Sequence, residues 1–175
     1  MASIPRRIVL TGSESTGKTT LAEGLASHFG VPWVPEFSRT YAEARGGVLT
    51  AADVEPIARG QFAAEAAALA SGGPVVFDTD LLSTVVYARH YYGKVPAWVG
   101  QAVRRYPRSL YLLGDIDLSW VSDGIRDRPA DRAAMQERFW DALREFGIEA
   151  VVVGGSGPDR LAQAIDAVDR WKEPR

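Results

Sequence analysis

The stretch Gly12-Ser13-Glu14-Ser15-Thr16-Gly17-Lys18-Thr19 decides how this chain is read, because it fits G-x-x-x-x-G-K-[ST] without a mismatch. At ordinary residue frequencies such a pattern arises by chance about 0.01 times in a chain of this length. Its setting narrows the reading further. The stretch follows the apolar run Ile8 to Leu10 and opens into a segment with Leu21 and Leu25 at helical spacing, so it joins a strand to a helix. Gly12 and Gly17 let the backbone curl until successive N–H groups face inward, and the helix start adds partial positive charge. A nest of this kind suits a polyphosphate. The expected ATP contacts are Gly12, Ser13, Glu14, Ser15, Thr16, Gly17, Lys18, Thr19 and Thr20, with Lys18 reaching the β- and γ-phosphates and the Thr19 hydroxyl entering a Mg²⁺ shell.

Working outward, five short apolar runs alternate with longer helical stretches, the pattern of a parallel α/β sheet. The expected strands are Arg6 to Leu10, Pro32 to Val34, Val75 to Phe77, Ser109 to Leu113 and Ala150 to Val153, with the middle three covered on both faces. Helices are expected from Lys18 to His28, Asp53 to Ala70, Leu81 to Tyr92, Arg132 to Phe146 and Pro158 to Trp171, giving β-α repeated five times. The fold class is therefore α/β: a P-loop NTPase fold whose five-stranded parallel sheet is sandwiched by helices. With 175 residues the chain fits a single domain and buries roughly 70% of its unfolded surface.

Composition removes several function classes. No cysteine is present, which excludes disulfides, thiolate metal sites and cysteine nucleophiles. The formal charge of −2 argues against a duplex nucleic-acid partner, and no apolar run reaches the length of a bilayer span. A soluble cytoplasmic protein without a membrane partner is expected, and homo-oligomerisation stays open.

Acidic residues at the strand ends separate a kinase from other nucleotide enzymes. The segment Leu113-Gly114-Asp115-Ile116-Asp117 lacks the Asn-Lys pair with which small GTPases read their base. Phe77-Asp78-Thr79-Asp80 places Thr, not Glu, after the strand-end acid, so water is a poor choice of nucleophile. Asp78 would emerge beside the phosphate loop and hold Mg²⁺ through water. Glu36, with Arg39 one helical turn on, is the preferred base toward an acceptor hydroxyl, while Asp80 serves the acceptor or caps the following helix. The polar segment from about 120 to 131 carries Arg126 and Arg128 and reads as a lid that closes guanidinium groups over the phosphates. Two aromatic groups, Trp33 with Phe37 and Tyr41, and Tyr87, Tyr91 and Tyr92 with Trp98, offer faces on which a flat, cationic ring would stack. Gly154 to Gly157 would let an adenine approach the backbone. A nucleotide-dependent switch that hydrolyses ATP slowly, with no small acceptor, is the competing reading.

Taken in order, Gly12 to Thr19, Glu36-Phe37-Ser38-Arg39-Thr40-Tyr41, Phe77-Asp78-Thr79-Asp80 and Trp120 to Arg126 with Asp131-Arg132 resemble the nicotinamide riboside kinase domain of bacterial NAD-salvage regulators. The resemblance implies transfer of the ATP γ-phosphate to the 5′-hydroxyl of nicotinamide riboside, giving nicotinamide mononucleotide, with a small-molecule nucleoside and ATP as partners. The chain shows no helix-turn-helix segment and no H-x-G-H motif, so regulation and adenylyl transfer are not carried over. Trp33 also stands three residues before Glu36, where the family pattern places a tryptophan immediately before the glutamate.

Overall fold

The computed structural model describes residues 4–120 and 131–171. Five parallel strands, β1 (Arg7–Thr11), β2 (Trp33–Val34), β3 (Val75–Asp78), β4 (Ser109–Gly114) and β5 (Ala150–Val153), form one sheet in the order β2-β3-β1-β4-β5. Every residue of β1 and β3 is buried, as strands flanked by neighbours and covered by helices require. The expected cover on both faces holds for β3 and β4 but not for the second strand. β2 is a two-residue, half-buried edge, and β1 takes the centre.

Helices α1 (Lys18–Phe29) and α7 (Gly157–Arg170) cover one face, where Leu21, Leu25, Ala164 and Val168 pack on Ile8, Leu10 and Leu112. The other face lies under α3 (Val54–Leu69), α4 (Leu81–Tyr92), α5 (Ala97–Val103) and α6 (Arg132–Phe146), with Val9, Phe77, Tyr111, Leu82 and Phe139 at its heart. Alternation along β1 sends Val9 to one layer and Ile8 and Leu10 to the other, so each layer receives a continuous apolar surface. The connections are richer than a simple β-α repeat. A short helix α2 (Phe37–Ala44) and a 3-10 turn (Ala51–Asp53) precede α3, and α5 follows α4. Both additions are short and bury little: α2 has one fully buried residue, Ala42, and α5 has two, Val99 and Val103.

Helix ends fall where the side chains dictate. Asp80 accepts the Leu82 N–H at 3.0 Å and starts α4, while Thr50 and Asp53 form a reciprocal cap around the 3-10 turn. No helix among the described residues is long and apolar enough to cross a membrane.

Candidate active site

The phosphate loop spans the end of β1 to the first turn of α1, and its shape rests on local conformation and on three side chains from far along the chain. Gly12 adopts φ 117°, and a Cβ there would crowd Leu113 Cδ1 at 3.1 Å and the Gly114 carbonyl at 3.2 Å, so no other residue fits without strain. Gln136 bridges the loop to β4, accepting the Ser13 N–H at 3.0 Å and donating to the Gly114 carbonyl at 2.8 Å. Arg132 donates to the Ser15 carbonyl at 3.0 Å and the Leu118 carbonyl at 2.6 Å. Arg160 donates to the Thr16 carbonyl at 3.1 Å, to the Val153 carbonyl at 2.9 Å and to the Gly155 carbonyl at 2.9 Å, and it pairs with Asp117. These contacts tie the Ser15 and Thr16 carbonyls and the Ser13 amide to the surrounding fold, which fixes the curl of the loop. Gly155, expected to admit an adenine, gives its N–H to the Asp117 carboxylate.

Within the loop, the Lys18 ammonium donates to the Ser13 carbonyl at 2.6 Å and the Thr16 hydroxyl at 3.4 Å. Thr19 donates to Asp78 Oδ2 at 2.6 Å, which joins the first turn of α1 to the end of β3. Thr20 lies beside it on the exposed side of that turn. Burial raises the Asp78 pKa and the nearby Glu36 charge adds to this, while the Thr19 hydrogen bond and the Lys18 and Arg39 charges pull it down. Asp78 is thus held between two cations and a second acid at the carboxyl edge of the sheet.

A magnesium ion is implied by the fold, and the donors present fit one. The Thr19 hydroxyl and Asp78 carboxylate are hard oxygen ligands placed together, and among the described residues no cluster of three metal-ligating side chains forms an all-protein cage. Mg²⁺ suits such a place, since it keeps several waters and binds through one or two protein oxygens together with phosphates.

Next to this edge lies a cavity of about 270 Å³ between α2, α3 and α4. Its walls include Glu36, Gln61, Thr79, Ser83, Tyr87, Tyr91 and Tyr92. The Tyr87 and Tyr91 rings are nearly parallel, 7° apart in plane and 6.2 Å between centroids, and Tyr87 leans edge-on against Phe139. Glu36, 7% exposed, precedes α2, accepts from the Ser38 hydroxyl at 2.7 Å and faces the Arg39 guanidinium at 3.9 Å. Gln61 fixes this helix start by accepting the Phe37 N–H at 3.2 Å, and its amide nitrogen donates to Glu65 at 3.1 Å. Thr79 sits at φ 67°, a costly conformation for a β-branched residue, and lines the cavity between Asp78 and Asp80.

Several expected acceptor contacts are not brought here. Trp33 packs on the α1 and α7 side of the sheet, because in β2 it alternates with Val34, which takes the cavity side. Tyr41 donates to Asp53 at 2.9 Å and accepts from Arg45 at 3.0 Å, tying α2 to the 3-10 turn instead of lining the cavity. Trp98 gives its indole N–H to Glu55 at 3.1 Å and packs against Phe62. Asp80 belongs to a buried network: one oxygen caps α4, the other takes the Tyr111 hydroxyl at 2.5 Å and Arg7 at 3.3 Å. Arg126 and Arg128, and most of the expected lid, lie outside the described residues.

Gln61, Glu65 and Gln136, which were not singled out on the sequence, share one signature with Arg132. Gln61 and Glu65 interrupt the apolar stripe of α3 at four-residue spacing between Ile57 and Leu69, and Arg132 and Gln136 do the same at the start of α6. A polar side chain on a buried stripe needs a partner, so each marks a tertiary hydrogen bond.

The AAA domain family matches residues 7–160. The chain belongs to that family. Among curated relatives, this AAA domain is 31% identical over 171 residues to the trifunctional NAD biosynthesis/regulator protein NadR of Salmonella typhimurium, covering 93% of the chain and 42% of the relative. It therefore spans less than half the length of that protein. Solved structures of NadR, one in complex with NR and one with NAD and AMP-PNP, superpose with TM-scores of 0.81 and 0.78 at 28% and 27% identity, over 98% of this chain and 54% and 52% of theirs. Thymidylate kinase from Ehrlichia chaffeensis shares the fold with a TM-score of 0.63 at 16% identity, over 97% of this chain and 98% of its own.

Proposed function

We propose that this AAA domain is an ATP- and Mg²⁺-dependent kinase that phosphorylates the 5′-hydroxyl of nicotinamide riboside. One observation carries the reading: Glu36 lines an aromatic-walled cavity and lies near enough to Asp78 to raise its pKa, so a base stands on the border between acceptor and phosphate spaces. A cationic pyridinium gains from the parallel Tyr87 and Tyr91 faces and from the Glu36 charge. The likeness to NadR in complex with NR supports the same acceptor.

In this mechanism the loop amides and Lys18 hold the triphosphate, and Thr19 and Asp78 would hold Mg²⁺, which would neutralise phosphate charge. The acceptor oxygen attacks the γ-phosphorus as Glu36 removes its proton. The new O–P bond forms while the bond to the ADP oxygen breaks, leaving the mononucleotide, ADP and a proton on Glu36. The Ser38 hydroxyl and Arg39 orient this carboxylate before the transfer. Arg126 and Arg128, outside the described residues, are proposed to supply positive charge to the transferring group.

The test measures ADP release with and without a panel of nucleosides that includes nicotinamide riboside. Release that requires nicotinamide riboside is the expected result. Equal release in its absence would assign the chain to slow hydrolysis, and preference for another nucleoside would move the acceptor.

A further inference from the structure

The phosphate loop carries an acid where an anion is expected. Glu14 is 5% exposed, and its Oε2 accepts the Tyr87 hydroxyl at 3.0 Å. Tyr87 comes from the middle of α4, stacks on Tyr91 and lines the acceptor cavity, so one phenol touches both substrate spaces. A carboxylate inside a ring of amides competes with phosphate for those amides and repels it. The Tyr87 hydroxyl ties the Glu14 carboxylate to α4. We propose that Tyr87 is a positioning residue that couples the two sites: it keeps Glu14 clear of the donor phosphates, and a ring stacked against it in the cavity holds it in that rotamer.

Two consequences follow. Donor affinity depends on the Tyr87 hydroxyl even without an acceptor, because the hydroxyl, not the ring face, restrains Glu14. An acceptor that stacks on Tyr87 raises donor affinity, and by linkage the donor raises acceptor affinity by the same factor, ordinarily about 5-fold or more. This second consequence rests on the kinase reading; the first does not.

The experiment is a double-mutant cycle read by calorimetric titration of AMP-PNP with Mg²⁺. Tyr87→Phe keeps the stacking face and removes only the hydroxyl, and it is expected to weaken AMP-PNP binding about 3- to 10-fold. Glu14→Gln removes the charge and should bind at least as tightly as the wild type. In the Glu14→Gln background the Tyr87→Phe change should cost less than 2-fold, roughly, since no charge is left to restrain. A merely structural tyrosine would weaken binding equally in both backgrounds, and that result, or no effect of Tyr87→Phe in either, overturns the proposal. Repeating the titration with saturating nicotinamide riboside adds the second arm: AMP-PNP tightens in the wild type, and the gain shrinks in Tyr87→Phe. Nicotinamide riboside that binds the wild type without tightening AMP-PNP refutes the coupling. Failure of nicotinamide riboside to bind at all refutes the acceptor assignment, and the first arm alone then decides the role of Tyr87.

Discussion

The donor edge and the acceptor cavity of this molecule are built by opposite routes. Eight consecutive residues, Gly12 to Thr19, make the donor loop, and its working groups are main-chain amides together with the Lys18 and Thr19 side chains of the same segment. The cavity draws Glu36 from the start of α2, Gln61 from α3, Thr79 from the end of β3 and Tyr87 and Tyr91 from α4, all through side chains. A contiguous site is legible as a motif, whereas a distributed one exists only once the helices have docked. Changes in the donor loop should therefore act on chemistry with the fold intact, and changes around the cavity should act through helix placement.

Lys18→Ala gives the sharpest contrast. Transfer should fall by about three orders of magnitude or more while the thermal transition stays near that of the wild type, since Lys18 is only half-buried on the loop. Loss of the folded state in the circular dichroism spectrum would instead make the lysine a structural strut. Glu36→Gln should lower kcat by about 10²- to 10⁴-fold and leave the Kd for ATP within about 2-fold. Turnover like that of the wild type would shift the base to Asp78.

On the cavity side, Gly60→Ala probes helix placement. A Cβ at Gly60 would lie 2.0 Å from the Phe37 ring at the start of α2, so that ring must shift to admit it. A destabilisation of about 1–3 kcal/mol is expected, together with a raised KM for the acceptor and an unchanged Kd for ATP. An equal loss at both substrates would show that the two regions move as one.

A pH dependence is expected from the network behind the cavity. Arg7 donates to Glu65 at 2.8 Å and to Asp80 at 3.3 Å, so one buried guanidinium serves two acids. Burial, with the Asp80 charge, pushes Glu65 up to about 7 despite the pull of Arg7. From its ordinary value of 4.5 up to about 7, the folded chain holds a proton that the unfolded chain has released. This contribution to stability is therefore complete at low pH and falls as pH rises to about 7, with a slope no greater than about 1.4 kcal/mol per unit. Glu65→Gln should flatten the dependence of Tm on pH across that window; an identical profile in the variant would place the extra proton elsewhere.

How much was readable from the chain follows the same division. Helices α4 and α6 begin and end where their caps and apolar spacing indicate, at Leu81 and Tyr92 and at Arg132 and Phe146. Helix α2 was read only as the turn that sets Arg39 near Glu36, because its eight residues bury little, and α5 was missed because seven residues give too few turns to show a period. Trp33 was misplaced because aromatic character does not reveal which side of an edge strand it takes, a matter settled by the register of Trp33 opposite Val76.

By itself, then, the amino-acid sequence determined the phosphate loop, the alternation of strands and helices and the acids at the strand ends, because these depend on neighbours in the chain and on main-chain geometry. Only the tertiary structure decided the strand order, the enlistment of Gln136, Arg132 and Arg160 to brace the loop, the choice of Tyr87 and Tyr91 over Trp33 and Trp98 as cavity walls, and the burial of Asp80 with Arg7 and Tyr111. Those outcomes turn on which polar side chains meet when distant segments pack. A buried donor or acceptor must find its partner wherever the fold supplies one, and the local pattern does not record where that is.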